Sequence, residues 1–140
     1  MKARDIMSKE IASVNSDDTI EKAAQLMKQH NIGSIPVCCQ QKVVGIVTDR
    51  DITLRAVAQN QNQQKVKDVM SSNPTIGNPD MDVHDVARIM SQKQIRRLPI
   101  VDNDNLVGMV SLGDISTEPS LQDNAEEALK NISQDSNFKM

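Results

Sequence analysis

The sequence predicts an α/β (α+β) fold made of two pseudo-symmetric repeats, each with a small sheet packed on two helices. The stretch GIVTDRDI at residues 45–52 recurs as GMVSLGDI at residues 108–115, an offset of 63 positions. Carrying this offset from residue 5 to residue 52 gives 48 aligned pairs without a gap, and fifteen of them are identical. Composition alone would give roughly three identities. The order of apolar helix faces and apolar strands is also repeated, so the chain is a duplicated supersecondary unit.

The duplication predicts the domain boundaries. Repeat 1 is expected at residues 2–58, a Gln/Asn-rich linker at 59–64, repeat 2 at 65–118, and a C-terminal helix and tail at 119–140. A unit of about 55 residues is marginal alone, so each half is expected to bury its apolar face against the other. Phe138 is the only aromatic residue and there are eight Met, which predicts an aliphatic, deformable core.

Each repeat is expected to begin with a short helical turn and to continue as strand, helix, strand, strand, helix. In the first copy the helical turn is predicted at 2–8, the first strand at 11–14 and a helix starting after Thr19. The two following strands are predicted at 34–38 and 43–47, and the last helix at 51–58. The second copy predicts a brief extended segment at 75–76, a helix behind Asp82, and strands at 97–101 and 106–110. Apolar residues at i, i+3, i+4 and i+7 behind each capping residue predict the helices. Short polar turns at 40–42 and 103–105 predict hairpins.

The second copy departs from the first at its end, because Pro119 interrupts the helix that the repeat would require. A short amphipathic helix that covers the module or a partner is predicted from an apolar stripe beyond it, with Glu126 on the solvated face and a frayed tail from residue 133. The stripe consists of Leu121, Ala125, Ala128, Leu129 and Ile132.

Composition excludes several classes of function. A net charge of −3 and 1% aromatic residues argue against a nucleic-acid surface. The chain shows no signal-peptide run and no apolar stretch of membrane-spanning length, so a cytoplasmic protein without membrane contact is expected. Cys38 and Cys39 are neighbours on a predicted strand and point to opposite faces, which disfavours a disulfide and leaves an exposed redox-sensitive thiol as the alternative. There is no nucleophile–base pair, no metal-type Cys/His spacing and no phosphate-binding glycine loop, so neither an enzyme nor a metal site is expected.

The repeated strand-to-helix turn carries the candidate chemistry. A hydroxyl residue, Thr48 or Ser111, ends each strand, and an Asp follows three positions later. Such a turn leaves backbone N–H groups unpaired, so amides and hydroxyl can hold a phosphate while the carboxylate of Asp51 or Asp114 accepts the hydrogens of a ribose diol. The same pattern describes an ordinary helix N-cap, and that alternative remains open.

The combination of Asp-Ile/Val-Met, a capped helix, Ile-x-x-x-Pro and Gly-x-Val-Thr/Ser-x-x-Asp in two copies resembles a tandem CBS-domain pair, or Bateman module, over about residues 2–117. The resemblance implies a pseudo-two-fold module with two clefts between the repeats that bind AMP, ADP, ATP or S-adenosylmethionine. It also implies a homodimer that regulates a partner protein.

Carried over to this chain, the resemblance assigns the aspartates to ribose, the hydroxyls to ribose or phosphate, the Ile/Leu-Pro pairs to adenine, and the arginines to phosphate. Surface ion pairs are the alternative for the arginines. Charge differs between the copies, so two sites of unequal affinity are expected. The implied ligand-binding residues are Gly33, Ser34, Ile35, Pro36, Thr48, Arg50, Asp51, Arg96, Arg97, Leu98, Pro99, Ser111 and Asp114.

The expected function is a stand-alone regulatory or sensor module that requires no cofactor. Its regulatory ligand would be an adenine nucleotide or S-adenosylmethionine, and its effector a separate protein that the sequence does not identify. The alternative is a structural dimerisation module whose clefts stay empty. The response to adenosine compounds separates the two.

Overall fold

The computed structural model describes residues 1–61 and 63–134 and has an α+β fold. Most of the expected tail falls outside these residues. The first copy contains α1 (Ala3–Ile6), β1 (Val14–Asn15), α2 (Ile20–His30), β2 (Ser34–Cys39), β3 (Lys42–Thr48) and α3 (Asp49–Ile52), which continues as π-helical turns at Thr53–Val57. The second copy contains α4 (Val66–Val69), β4 (Ser71–Ser72), α5 (Val83–Lys93), β5 (Arg97–Asp102), β6 (Asn105–Ser111) and α6 (Leu112–Ser116). A 3₁₀ turn at Pro119–Leu121 leads into α7 (Gln122–Ser133).

The chain forms two compact units, and the first to be described comprises residues 11–74 and 104–106. Its sheet has the order β1-β2-β3-β4, with β1 parallel to β2 and the other pairs antiparallel. Strand β1 pairs with Val37 and Cys38 of β2 only, so Pro36 is not required to donate a hydrogen bond on that side. Helix α2 and the strands enclose an aliphatic core that includes Ile20, Met27 and Val47.

Within the described part of the chain, the other unit comprises residues 1–10, 75–103 and 107–134. The β5–β6 hairpin is flanked by single bridges, Gly77 with Ile100 and Ser8 with Met109, at the positions that β1 and β4 occupy in the first unit. The extended segment predicted at 75–76 is therefore wrong as a strand, because pairing begins at Gly77, whose N–H bonds to Pro99 O at 2.9 Å. The strand predicted at 11–14 likewise begins only at Val14.

Each compact unit contains the leading helix of the other repeat. Helix α1 packs with the second copy: Ala3 is fully buried in that core, and its N–H donates to Met81 O at 2.8 Å. Helix α4 packs with the first copy, where Val66 is fully buried and donates to Asp18 O at 2.8 Å. The packing units therefore cut across the repeats that the sequence duplication defines, whose boundaries remain a prediction.

The two long helices predicted by periodicity are confirmed. Thr19 Oγ1 accepts the Lys22 N–H at 3.1 Å in front of α2, and Asp82 Oδ1 accepts the His84 N–H at 2.8 Å in front of α5. Both helices end at a left-handed residue. The first copy's final helix starts at Asp49, earlier than the predicted residue 51, because Thr48 is its N-cap.

Both predicted hairpin turns have two central residues with positive φ, as a type I′ turn requires. Gln40 and Gln41 have φ of 52° and 73°, and Asn103 and Asp104 have 51° and 68°. Asn and Asp tolerate this conformation better than Gln does, so the first turn carries more backbone strain.

The predicted C-terminal helix is present as α7, with Leu121, Ala125, Ala128 and Ile132 buried in the core of its unit. Leu129 was expected in this stripe, but its surface is 46% exposed. The four buried residues follow a spacing of four, three and four, which defines one helix face, and Leu129 lies about 100° from Ala128 around the axis.

Candidate functional site

The repeated strand-to-helix turns form two matching capping boxes. In the first, Thr48 Oγ1 accepts the Asp51 N–H at 3.0 Å, and Asp51 Oδ2 accepts the Thr48 N–H at 2.9 Å. In the second, Ser111 and Asp114 make the same pair of bonds at 3.1 and 2.8 Å. The N-cap alternative is thus present at both turns, and the bonds to the hydroxyl residue's N–H use Oδ2 of each carboxylate.

Arg55 is a residue of this site that the sequence reasoning missed. Its Nη1 lies 3.9 Å from Asp51 Oδ1 and donates to Val69 O at 2.9 Å. The second copy has Glu118 at the corresponding position. The i,i+4 spacing of Asp51 and Arg55 was the available signal, since such pairs meet on a helix surface.

Gly33, Ser34, Thr48 and Arg50 come together where β2 begins and β3 ends. Ser34 is paired in register with Thr48, and Gly33 O accepts the Asp49 N–H at 2.9 Å. A Cβ at Gly33 would lie 3.1 Å from Asp49 Oδ2, so this carboxylate occupies the space that a larger residue would need. The Arg50 side chain is exposed, so it is accessible to a ligand at this turn.

The residues expected to pack on adenine are core residues. Ile35 and Leu98 have no exposed surface, and Pro36 and Pro99 are buried beside them. The side chains of Ile35 and Leu98 belong to the aliphatic cores of their units. The adenine role of these four residues remains a prediction.

In the second copy the structure brings Arg96, Arg97 and Ser111 around one groove of about 600 Å³, within the range of roughly 300–1,000 Å³ typical of small-molecule sites. Within residues 1–61 and 63–134, neither arginine forms an ion pair. The two guanidinium groups are thus available to an anion. The other lining residues are Leu112, Gly113, Ser116, Ala125, Glu126 and Leu129.

The contribution of α7 to this groove was missed from the sequence. Ala125, Glu126 and Leu129 of α7 line the groove together with residues of the hairpin and of α6. Glu126 is exposed, as expected, but the exposed face of α7 that carries it also lines the groove. The amphipathic stripe predicted the helix, whereas the surroundings of its outer face depend on tertiary packing.

A second groove, of about 300 Å³, lies on the α5 and α7 surface of the same unit and is lined by His84, Ala87, Arg88, Ser91, Asn124 and Glu127. Its arginine is already engaged, because Arg88 pairs with Asp85 one turn earlier on α5. This groove therefore has no unpaired guanidinium group among its described lining residues, unlike the larger groove. Its residues serve as control positions for experiments on the larger groove.

The described part of the chain holds no group of three or more His, Cys, Asp or Glu residues placed to bind a metal ion. No helix within that part combines the length and apolarity needed to cross a membrane. Cys38 is buried and Cys39 is exposed, and both are free thiols.

The family model for the CBS domain matches the chain twice, at residues 3–57 and 66–120. The chain belongs to the CBS-domain family. Each match contains one copy of the capping-box turn, and the tandem pair predicted from the internal repeat is confirmed. Helix α7 lies beyond the second CBS match.

Two relatives and one solved structure place this CBS pair among known proteins. The CBS domain-containing protein YhcV of Bacillus subtilis is 49% identical over 131 residues, covering 93% of this chain and 94% of the relative. The CBS domain pair of protein MJ0100, in complex with 5′-methylthioadenosine and S-adenosyl-L-methionine, superposes with a TM-score of 0.76 at 34% identity, covering 86% of this chain and 96% of that one. Inosine-5′-monophosphate dehydrogenase of Methanocaldococcus jannaschii is 34% identical over 116 residues, which are 81% of this chain and 23% of the enzyme.

Proposed function

We propose that this CBS pair is a regulatory sensor that binds an adenosine-containing ligand, AMP, ADP, ATP or S-adenosylmethionine, and modulates a separate protein. The groove beside Ser111 carries the proposal. Arg96 and Arg97 supply charged donors for an anionic group, while Leu112 and Leu129 supply apolar surface for a nucleoside. The MJ0100 pair, seen with two adenosine compounds, supports this ligand class.

The first copy would provide a site of different charge. Thr48, Asp51 and Arg50 are grouped at its turn, with Arg55 behind the aspartate. Asp49 lies where the second copy has Leu112, and Gly33 where it has Arg96. Each copy thus has two arginines near its turn, but Arg55 already donates to Val69 O and lies near Asp51, and Asp49 stands directly before Arg50. We therefore expect weaker phosphate binding at the first copy than at the second.

A regulatory role fits the way this module occurs in relatives. The matched segment makes up 23% of an inosine-5′-monophosphate dehydrogenase, where the rest of the chain is additional protein. Here we propose that the module is not catalytic and requires no cofactor, and that its effector is a different protein. Two free thiols are compatible with the cytoplasm that the sequence predicted.

We further propose that the chain forms a homodimer through its helices. Leu54 and Val57 project from the π-helical turns with 45% and 57% of their surface exposed, one turn apart. A second copy would cover such a pair. Sedimentation velocity of the wild type and of Leu54→Glu/Val57→Glu tests this, and a wild-type monomer at micromolar concentration would exclude the dimer.

Ligand binding is tested by isothermal titration calorimetry and thermal unfolding with AMP, ADP, ATP, S-adenosylmethionine and GTP. A ligand at about a hundred times its Kd stabilises the folded state by about 2.7 kcal/mol. At about 2–4 °C per kcal/mol for a chain of this size, the midpoint should rise by about 5–10 °C. We expect the rise with at least one adenosine compound and not with GTP.

Matched variants locate the site. Arg96→Ala/Arg97→Ala should weaken phosphate-bearing ligands by at least about tenfold, because hydrogen bonds to charged groups contribute about 1.5–3 kcal/mol each. Arg88→Ala removes the same kind of charge at the smaller groove and should leave the affinity unchanged. Asp51→Ala and Asp114→Ala test the two turns separately. No response to any adenosine compound would favour a structural dimerisation module.

A further inference from the structure

Helix α7 lies beyond the second CBS match, yet it forms a wall of that repeat's groove. Its buried face, centred on Ala125 and Ala128, packs on α5 and α6 in the core of the unit. This packing fixes which side chains point outward. Glu126 and Leu129, three positions apart and therefore on one side of the helix, line the groove.

The helix is held against α5 near its C-terminal end. The Asn131 side-chain amide donates to Ser91 Oγ, and Gln94 Nε2 donates to Asn131 O at 3.1 Å and to Gln134 O at 2.8 Å. Gln94 is itself the left-handed residue that ends α5, so these bonds join the ends of the two helices. A wall anchored in this way places Glu126 and Leu129 at fixed positions beside the groove.

The residues that line the groove carry more positive than negative charge. Arg96 and Arg97 bring two positive charges and Glu126 brings one negative charge, and within the described ranges none of the three forms an ion pair. The charged lining residues thus sum to +1. Arg96 and Arg97 together neutralise the charge of one phosphate monoester. Each further phosphate then adds negative charge for which the lining has no further cation, and Glu126 repels that charge.

Leu129 gives the groove an apolar surface that favours the nucleoside part of a ligand. Nearly half of the surface of Leu129 is exposed, and it lines the groove together with Leu112 of α6. An exposed leucine on a groove wall gains by contacting an apolar ligand face, because burial of apolar area is favourable by about 25 cal/mol per Å². The ribose and base of a nucleoside offer such a face.

We propose that α7 is the selectivity wall of the second-repeat site: Leu129 packs on the nucleoside, and Glu126 disfavours every phosphate beyond the first, so this groove prefers AMP over ADP and ATP. This inference rests on the proposed function and assigns one ligand to that site. It adds a specificity determinant from outside the CBS repeats.

The test is calorimetry with AMP, ADP and ATP, without divalent cations and at one ionic strength, on the wild type, Glu126→Gln and Glu127→Gln. Glu127 is the control, because it is adjacent on α7 but lines the smaller groove beside His84 and Arg88. Loss of the Glu126 charge should raise the affinity for ATP by about tenfold and the affinity for AMP by about threefold or less. The ratio of AMP affinity to ATP affinity should therefore fall. Glu127→Gln should leave the ratio of ATP to AMP affinity unchanged.

Leu129→Ala completes the test, and it should weaken all three nucleotides by a similar factor of about five to ten. Both glutamates are exposed, so helix content measured by circular dichroism should be unaltered in their variants. An unchanged ratio in Glu126→Gln, with AMP binding still lost in Arg96→Ala/Arg97→Ala, would overturn the inference and leave the sensor function standing. An equal change in Glu127→Gln would show a general charge effect and also overturn it. A wild type that binds no adenosine compound would remove both.

Discussion

Two pseudo-equivalent glycines should respond differently to the same substitution. Gly45 and Gly108 occupy matching positions in β3 and β6, and each faces the methionine that follows a leading helix. A Cβ at Gly45 would lie 2.5 Å from Met70 Sδ and 2.7 Å from the backbone oxygen of Ser71. A Cβ at Gly108 would overlap Met7 Sδ and lie 2.8 Å from Met7 Cγ, and no backbone atom is among its three nearest neighbours.

The size of each effect follows from what must move. Ser71 lies in β4, where it is paired with Ile46, the neighbour of Gly45 in β3, so its carbonyl can move away only by disturbing the sheet. Overpacking of this kind costs about 1–3 kcal/mol, while alanine in a strand regains about 0.5–1 kcal/mol relative to glycine. We expect Gly45→Ala to destabilise by about 2 kcal/mol. Gly108→Ala should cost less, about 1 kcal/mol, because Met7 Sδ and Cγ can move with a rotamer change and only Met7 Cβ, at 3.2 Å, must shift with its backbone.

Urea denaturation followed by far-UV circular dichroism gives both free energies of unfolding. Gly113→Ala is the matched control, since the nearest atom to a Cβ there is Ser111 Oγ at an ordinary 3.5 Å, and alanine favours the helix by up to about 1 kcal/mol. A Gly108→Ala variant that loses as much stability as Gly45→Ala would refute the argument, because the backbone carbonyl would then not be the deciding obstacle.

Three further outcomes follow from local geometry. Gln41→Gly should raise the free energy of unfolding in urea by about 0.5–1 kcal/mol, because φ at this turn residue is 73°; no gain would contradict the assigned strain. Lys67 beside Asp17 holds the pKa of that carboxyl below its ordinary value. The ion pair therefore stabilises the fold at pH values above the ordinary pKa of Asp, and this stabilisation is lost as the pH falls through the pKa of Asp17 in the folded protein. Lys67→Ala should raise the pKa of Asp17 in a carboxyl NMR titration, and an unmoved value would mean that another group sets it. Burial raises the pKa of the Cys38 thiol, whereas Cys39 is exposed. Iodoacetamide should therefore label only Cys39 rapidly in the folded protein and both thiols in urea. Rapid labelling of both thiols in the folded protein would show that Cys38 is accessible.

Local structure was predictable where one pattern had one physical outcome. The apolar spacing after Thr19 and Asp82 predicts an amphipathic helix, and a short polar turn between two apolar strands predicts a hairpin. The capping boxes at Thr48 and Ser111 were also predictable, since a hydroxyl followed three residues later by Asp satisfies two N–H groups at once. Sequence could not decide whether those groups also bind a ligand.

Other features depended on packing that a repeated sequence does not encode. Ala3 and Val66 occupy matching positions in the two copies and both are apolar, so the sequence alone does not show which of the two cores each residue enters. Leu129 and Ala128 are neighbours in sequence, and only the position of α5 decides which of them turns inward. The groove lined by Arg96, Glu126 and Leu129 was hidden for the same reason, because it requires knowing where α7 lies.

The placement of the leading helices bears on the history of the duplication. Ala3 completes a core built mainly from the second copy, and Val66 completes one built mainly from the first. A single-repeat ancestor with this geometry would have borrowed its first helix from another chain, and gene fusion would have turned two exchanging subunits into one polypeptide. Trimming the first ten residues today would therefore damage the half that carries the Arg96–Arg97 groove, about eighty residues away in sequence.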